Sequence, residues 1–157
     1  MGVARAADGL EAVDLLRRAF PEAVVDAATF AGATWAELAP SRLVECATWL
    51  RDHPSVAFDF LVDVTAVHWP EREPPVEVVY HVYSYRRDDR LRIKVRTGET
   101  GPVPTLTGVW ASADWNEREA YDMFGIRFDG HPDLRRILMP DDYTEYPLRK
   151  ELPLYRG

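Results

Sequence analysis

The chain has 157 residues and a formal net charge of −7, with 46% hydrophobic and 29% charged side chains, the proportions of an ordinary globular domain rather than a disordered one. A chain of this length buries roughly 70% of its unfolded surface and needs no covalent staple. Its single cysteine, Cys46, excludes an internal disulfide and any cysteine-based zinc or iron–sulfur site. The negative charge argues against a general nucleic-acid binder. The longest stretch free of Asp, Glu, Lys and Arg, Thr100–Ala113, is broken by Gly and Pro and falls short of the about 20 apolar residues of a membrane span. No basic-then-apolar leader precedes Asp8 and Glu11, so no secretion signal is expected.

Asp8–Phe20 reads as a helix, because Leu10, Val13, Leu16 and Phe20 recur at helical spacing and Pro21 ends it. Ala23–Phe30 and Thr34–Leu38 read as short strands around an Ala31-Gly32 turn. Pro40–Asp52 is a second helix with Leu43, Val44, Ala47 and Leu50 as its apolar stripe, stopped at His53-Pro54. Phe58, Phe60, Val62, Val64 and Ala66 then alternate with Asp59, Leu61, Asp63 and Thr65, the period of a half-buried strand. Glu71–Pro75 is a turn. Val76–Tyr85 and Leu91–Val95 flank the polar turn Arg86–Asp89 and form a hairpin. Its second strand turns Leu91, Ile93 and Val95 one way and Arg90, Arg92, Lys94 and Arg96 the other. That basic face is either a solvated surface that protects a sheet edge or a docking surface for an acidic neighbour. The third helix starts at Asp114, where Asp114 and Glu117 have capping-box spacing, and stops at Gly125. The expected fold class is α+β, helices packed on a mostly antiparallel sheet, spanning residues 1–125.

Residues 126–157 are different. Pro132, Pro140, Pro147 and Pro153 leave no room for a long helix or a central strand, yet Phe128, Leu134, Ile137, Leu138, Met139, Tyr143, Tyr146, Leu148, Leu152 and Tyr155 are too many large apolar groups to leave in water. Structureless stretches of this length are uncommon within compact domains. Aromatics interleaved with Arg are what protein interfaces enrich. An extended C-terminal arm that docks on a neighbouring protein is expected; wrapping its own domain is the alternative.

The densest chemical cluster is Glu117-Arg118-Glu119 with Asp122, followed by His131. Glu119 and Asp122 share a helix face, and Arg118 stands four residues before Asp122, at ion-pair spacing. Paired carboxylates beside a histidine suit acid–base chemistry or a divalent metal. Arg118, Arg127, Arg135 and Arg136 nearby favour a neutralised salt-bridge network instead. The histidines, His53, His68, His81 and His131, lack metal-site spacing. Gly98–Pro104 lacks the glycine pattern of nucleotide loops, and no Gly-x-Ser-x-Gly elbow occurs. No catalytic, cofactor-binding or metal site is expected in this chain.

Glu117-Arg118-Glu119-Ala120-Tyr121-Asp122-Met123-Phe124-Gly125-Ile126, then Phe128, then Gly130-His131-Pro132-Asp133-Leu134-Arg135-Arg136-Ile137-Leu138, resembles one family. It is the C subunit of the bacterial NADH–quinone oxidoreductase, the counterpart of the mitochondrial complex I 30-kilodalton subunit. The resemblance runs on through Pro140-Asp141-Asp142-Tyr143 and Tyr146-Pro147-Leu148-Arg149-Lys150-Glu151-Leu152-Pro153-Leu154, and Phe60–His68 resembles the family's first long strand. The resemblance implies a scaffold subunit of the hydrophilic arm of a proton-pumping complex, whose FMN and iron–sulfur clusters lie in partner subunits. It implies as partners the D subunit, which helps form the quinone site, and the other subunits of the arm. It also implies a peripheral position on the cytoplasmic side of the bacterial plasma membrane, reached only through the complex. Glu117, Arg118, Glu119, Asp122, Gly125, His131, Arg135, Arg136, Asp141, Pro147, Arg149 and Lys150 are then interface or motif residues rather than catalytic ones. Two alternatives stand beside this. One is the same role in a ferredoxin- or F420-linked dehydrogenase or an energy-converting hydrogenase; the other is a stand-alone acid–base enzyme using Glu119, Asp122 and His131.

Overall fold

A computed structural model describes residues 8–152 of the chain. Pro153, Leu154 and Tyr155 lie outside the described residues. Helix α1 (Asp8–Ala19) leads into a hairpin of β1 (Val24–Phe30) and β2 (Ala33–Leu38). A 3-10 turn at Pro40–Arg42 opens α2 (Leu43–Asp52), and β3 (Phe60–His68), β4 (Val76–Ser84) and β5 (Asp89–Thr97) follow. Short β6 (Val103–Pro104) precedes α3 (Ala113–Phe124), and short β7 (Phe128–Asp129) comes after it. The fold is α+β, as the periodicities indicate.

The main sheet has the order β1-β2-β5-β4-β3. Every pairing in it is antiparallel except β2 with β5, which is parallel. This corrects one expectation: β5 is a central strand, so its basic residues do not guard a sheet edge. They are also partly spoken for. Lys94 lies 3.6 Å from Glu77 and over the Trp35 ring, and Arg96 donates to the Pro74 carbonyl.

The core lies on one side of this sheet. Leu61, Val64, Ala66, Val78, Tyr80, Val82, Leu91, Ile93 and Val95 face the helices and are buried. From α2 come Leu43, Cys46, Ala47 and Leu50, one face at i, i+3, i+4 and i+7. Val44, expected in that stripe, faces solvent, and so does Leu10 of α1, where Ala12, Val13 and Leu16 are buried instead.

The alternation expected for β3 fails at one place. The register slips between Leu61 and Asp63, so Val62 is the extra residue of a β-bulge. A bulge reverses the inward–outward alternation beyond it. Leu61 therefore goes inside, whereas Phe60 and Val62, expected in the core, face out.

The outer end of the sheet is closed by α3. The Trp110 indole donates to the Phe58 carbonyl at 3.0 Å and the Ser112 hydroxyl to the Leu61 carbonyl at 2.8 Å. These bonds satisfy polar groups beside β3 and set where α3 begins. Ser112, not Asp114, is the N-cap, and it makes no side-chain cap bond. The expected capping box is absent because Glu117 is used elsewhere.

Candidate functional site

Twelve residues of α3 and the arm carry the sequence signal, and most of them converge on one structure: α3 and the irregular chain folded against it. Glu117 points into the core and is fully buried. Its carboxylate accepts the Thr105 hydroxyl at 2.6 Å and the Leu106 N–H at 2.7 Å. Burial pushes its pKa up to about 7, against the lowering pull of those two bonds and of His131, while Asp114 raises it further. Close by, the Tyr80 hydroxyl is fully buried without a hydrogen-bond partner among the described residues, and burial together with the Glu117 charge holds its pKa well above the usual value.

Asp122 is also fully buried and is answered differently. Its Oδ1 accepts Arg136 Nη1 at 2.7 Å. Its Oδ2 accepts three consecutive backbone N–H groups, from Ile137 at 3.1 Å, Leu138 at 2.7 Å and Met139 at 2.9 Å. Burial raises its pKa, but the Met139 bond, the Arg136 bond and the Leu138 and Ile137 bonds together outweigh burial and hold it below the ordinary carboxylate value. A charge-assisted bond to a guanidinium plus three N–H donors is the arrangement that keeps a buried carboxylate ionised. The expected Arg118–Asp122 pair does not form. Arg118 instead donates to the carbonyls of Arg135 and Arg136, at 3.2 and 3.3 Å, and lies over Trp115.

The C-terminal end of α3 shows why so many arginines occur in the arm. A helix leaves its last four carbonyls without intrahelical partners. Here the Tyr121 carbonyl takes the Gly125 N–H, the Asp122 carbonyl takes Arg136 Nη1, the Met123 carbonyl takes the Leu148 N–H, and the Phe124 carbonyl takes Arg149 Nε. All four are met, two of them by cations where the helix dipole favours positive charge. Arg136 also donates to the Glu145 carbonyl and Arg149 to the Glu99 carbonyl. Both guanidiniums lie over the Tyr146 ring.

Gly125, in the left-handed region at φ 77°, ends the helix as expected. It is also the place where the arm comes closest. A Cβ there would meet Arg149 Nη2 at 2.6 Å and the Tyr146 ring at 2.7 Å. Pro147 lies in the turn that carries Tyr146 and Arg149, and the Lys150 N–H donates to His68 Nδ1 at 3.1 Å. His68 is buried at the end of β3. Its Nε2 lies 3.8 Å from Glu99, and its Nδ1 also lies 3.5 Å from Glu151.

His131 clips the arm to the other end of α3. Its Nε2 bonds the Asp114 carbonyl at 3.0 Å and its Nδ1 accepts the Asp133 N–H. It is not brought to Glu119 or Asp122. Glu119 is half-buried and makes no ion pair among the described residues, Arg135 pairs with Asp133 at the surface, and Asp141 is exposed. Sequence reasoning passed over His68, Thr105 and the backbone acceptors of the arginines. No local signal marks them, because Lys150 and His68 are 82 positions apart.

The arm is therefore tied to its own domain through His131, Arg136, Arg149 and the Lys150 N–H. Among the side chains it leaves exposed are Leu138 and Leu148, and Trp115 of α3 is exposed as well. Among the described residues no three His, Cys, Asp or Glu side chains are grouped to hold a metal ion, and no helix is long and apolar enough to cross a membrane.

Comparison with known proteins agrees with the motif. Residues 36–156 match the family described as respiratory-chain NADH dehydrogenase, 30 Kd subunit. The chain is 45% identical over 150 residues to the NADH-quinone oxidoreductase C subunit of Roseiflexus sp. (strain RS-1), covering 95% of this chain and 86% of that one. It is 53% identical over 116 residues to the second such C subunit of Rhizobium meliloti (strain 1021), covering 73% of this chain and 63% of that one. Its fold is similar to a chain in the structure of the membrane-bound sulfane sulfur reductase, an archaeal respiratory membrane complex. There the TM-score is 0.78 at 22% identity, with 93% of this chain and 86% of the other covered. The motif on α3, the arm bound to it and the match over residues 36–156 lead to one conclusion: the chain belongs to the respiratory-chain NADH dehydrogenase 30 Kd subunit family.

Proposed function

We propose that this chain is the 30-kilodalton-type C subunit of a proton-pumping NADH–quinone oxidoreductase and serves as a non-catalytic docking subunit of its hydrophilic arm. It holds no cofactor of its own; FMN and iron–sulfur clusters belong to partner subunits. Its place is on the cytoplasmic side of the bacterial plasma membrane, held there through the complex. One observation carries this reading: the arm is pinned to α3 through polar groups, while Leu138 and Leu148 of the arm and Trp115 of α3 stay 60%, 51% and 58% exposed. Large apolar side chains presented on a fixed irregular surface suit a permanent protein neighbour better than solvent. The quinone-site subunit is the neighbour we assign to this surface.

Identities of 45% and 53% to C subunits of NADH-quinone oxidoreductases favour this complex over related ones that share the fold. A stand-alone acid–base enzyme is disfavoured, because His131 bonds Asp114 and the Asp122 carboxylate is fully engaged. The test is Leu138→Glu combined with Leu148→Glu, two exposed positions whose change leaves the core intact. The isolated variant is expected to melt like the wild type, while its recovery with a tagged quinone-site subunit falls in parallel with NADH–quinone activity. Normal recovery with that subunit would sink the assignment. Full assembly with lost turnover would point to chemistry in this chain.

A further inference from the structure

The helices cover one face of the sheet. The opposite face is open, and across β2, β5, β4 and β3 it holds a groove of about 740 Å3. Phe60 and Val62 are in its lining because of the bulge at Val62. The slip sets Phe60 opposite Tyr83 and Asp63 opposite His81. It leaves Phe60 39% and Val62 47% exposed. Tyr85, 64% exposed, packs on both Phe60 and Tyr83, with ring centroids 5.7 and 4.9 Å apart. A regular strand would have put Phe60 and Val62 on the face of Val64, inside. Bulges re-aim side chains in this way, and exposing two large apolar groups costs stability unless something covers them.

The polar groups of the groove divide by sign. Asp63 Oδ1 accepts His81 Nδ1 at 2.6 Å, and His81 Nε2 accepts Arg92 Nε at 3.1 Å. The imidazole is thus bonded on both sides. Asp88 accepts the Tyr83 hydroxyl and Asp89 the Arg90 N–H. The acids are bonded inside the face. The cations are open: the two terminal amino groups of Arg92 have no acceptor among the described residues, and Arg90 only lies over the Tyr83 ring at 5.7 Å. A guanidinium fork is matched by a carboxylate.

We propose that this groove docks an extended segment of a neighbouring subunit that carries a carboxylate beside an apolar side chain. The carboxylate sits on Arg92 and Arg90, and the apolar side chain covers Phe60, Val62 and Tyr85. The occupant is a polypeptide because a small solute would leave that aromatic wall wet; solute sites bury most of their ligand, and this face is open. The inference rests on the chain being a subunit of a multi-subunit complex, and concerns a surface distinct from the α3 and arm face.

Val62→Cys tests it, the native Cys46 being buried. The labelling rate with a maleimide is compared between the isolated full chain and the purified complex, and a photo-crosslinker is placed at Tyr85. The expected result is at least tenfold slower labelling in the complex, with a crosslink to a segment of another subunit bearing Asp or Glu next to an apolar residue. Arg92→Glu is expected to lower that crosslink yield several-fold, and Arg92→Lys to restore part of it. Equal labelling in the two forms, or a crosslink to a second copy of this chain, would overturn the groove assignment while leaving the docking role intact. Absence of the wild-type chain from the purified complex would overturn both.

Discussion

In the first half of α3, Glu117 is buried with two neutral donors, the Thr105 hydroxyl and the Leu106 N–H. In its last turns Asp122 is equally buried, with three N–H groups and the Arg136 guanidinium. The same helix thus carries two carboxyls whose pKa values move in opposite directions, up to about 7 for Glu117 and below the ordinary value for Asp122. Burial pushes both up. The number of donors, and above all one full positive charge, decides which way the balance falls. The consequence is a division of labour. Asp122 is a permanent anion around which the arm is wound, whereas Glu117 is a polar member of the core that holds its proton near neutral pH.

The comparison breaks most visibly at Asp122. Replacing it by Ala leaves Arg136 buried beside three unpaired N–H groups, and removing one partner of a buried pair costs about 3–5 kcal/mol. Urea unfolding of the isolated chain is expected to show a loss of that size. Trypsin is expected to cut after Arg136 and Arg149 well before it cuts the sheet. An arm that stayed protected in this variant would mean the apolar contacts alone hold it.

The Glu117 end sharpens the contrast through pH. Its folded pKa of about 7 lies above the value near 4.3 of an unfolded glutamate. Between those values the native state keeps a proton that the unfolded chain has lost. Stability from this group is therefore full below about pH 4, falls as pH rises towards 7 and is flat above it, by about 4 kcal/mol in all. Asp122 runs the other way: its contribution is present above the unfolded value and is lost as pH falls through its lowered folded value. Glu117→Gln is expected to abolish the decline between pH 5 and 7 and to leave the acid limb unchanged, read by urea midpoints across pH. A decline that persisted in Glu117→Gln would assign it to another group.

The smallest effect is expected at Arg135. It sits next to Arg136 in sequence, but its side chain is 68% exposed and pairs with Asp133 two residues away. Arg135→Ala is expected to change stability by less than about 0.5 kcal/mol, since exposed pairs of this kind contribute little. The same denaturation assay checks it, and a loss comparable to that of Asp122→Ala would show that the two arginines share the arm's anchoring.

Much of the architecture was legible because it is local. The hairpin of β4 and β5, the strand pair around Ala31-Gly32 and the helix stop at Gly125 follow from period, turn chemistry and backbone freedom within a few residues. The bulge at Val62 was not legible: Phe60, Val62 and Val64 keep the strand period, with only the apolar Leu61 departing from it, and pairing with β4 alone puts the extra residue between Leu61 and Asp63. Glu117 reads locally as a capping-box acid. The chain spends it instead on Thr105 and Leu106, across the loop that enters α3.

The amino-acid sequence by itself determined the α+β composition, the irregular arm and, through the motif from Glu117 to Lys150, the family. Those depend on residue types and near-neighbour spacing, which the linear chain carries in full. Only the tertiary structure decided that Arg136 rather than Arg118 answers Asp122, that Arg149 and Leu148 complete the end of α3, and that His68 receives the arm at Lys150. The physical reason is that a buried polar group must find a partner wherever the fold brings one within about 3 Å, and that proximity is a property of the packed chain, not of sequence separation.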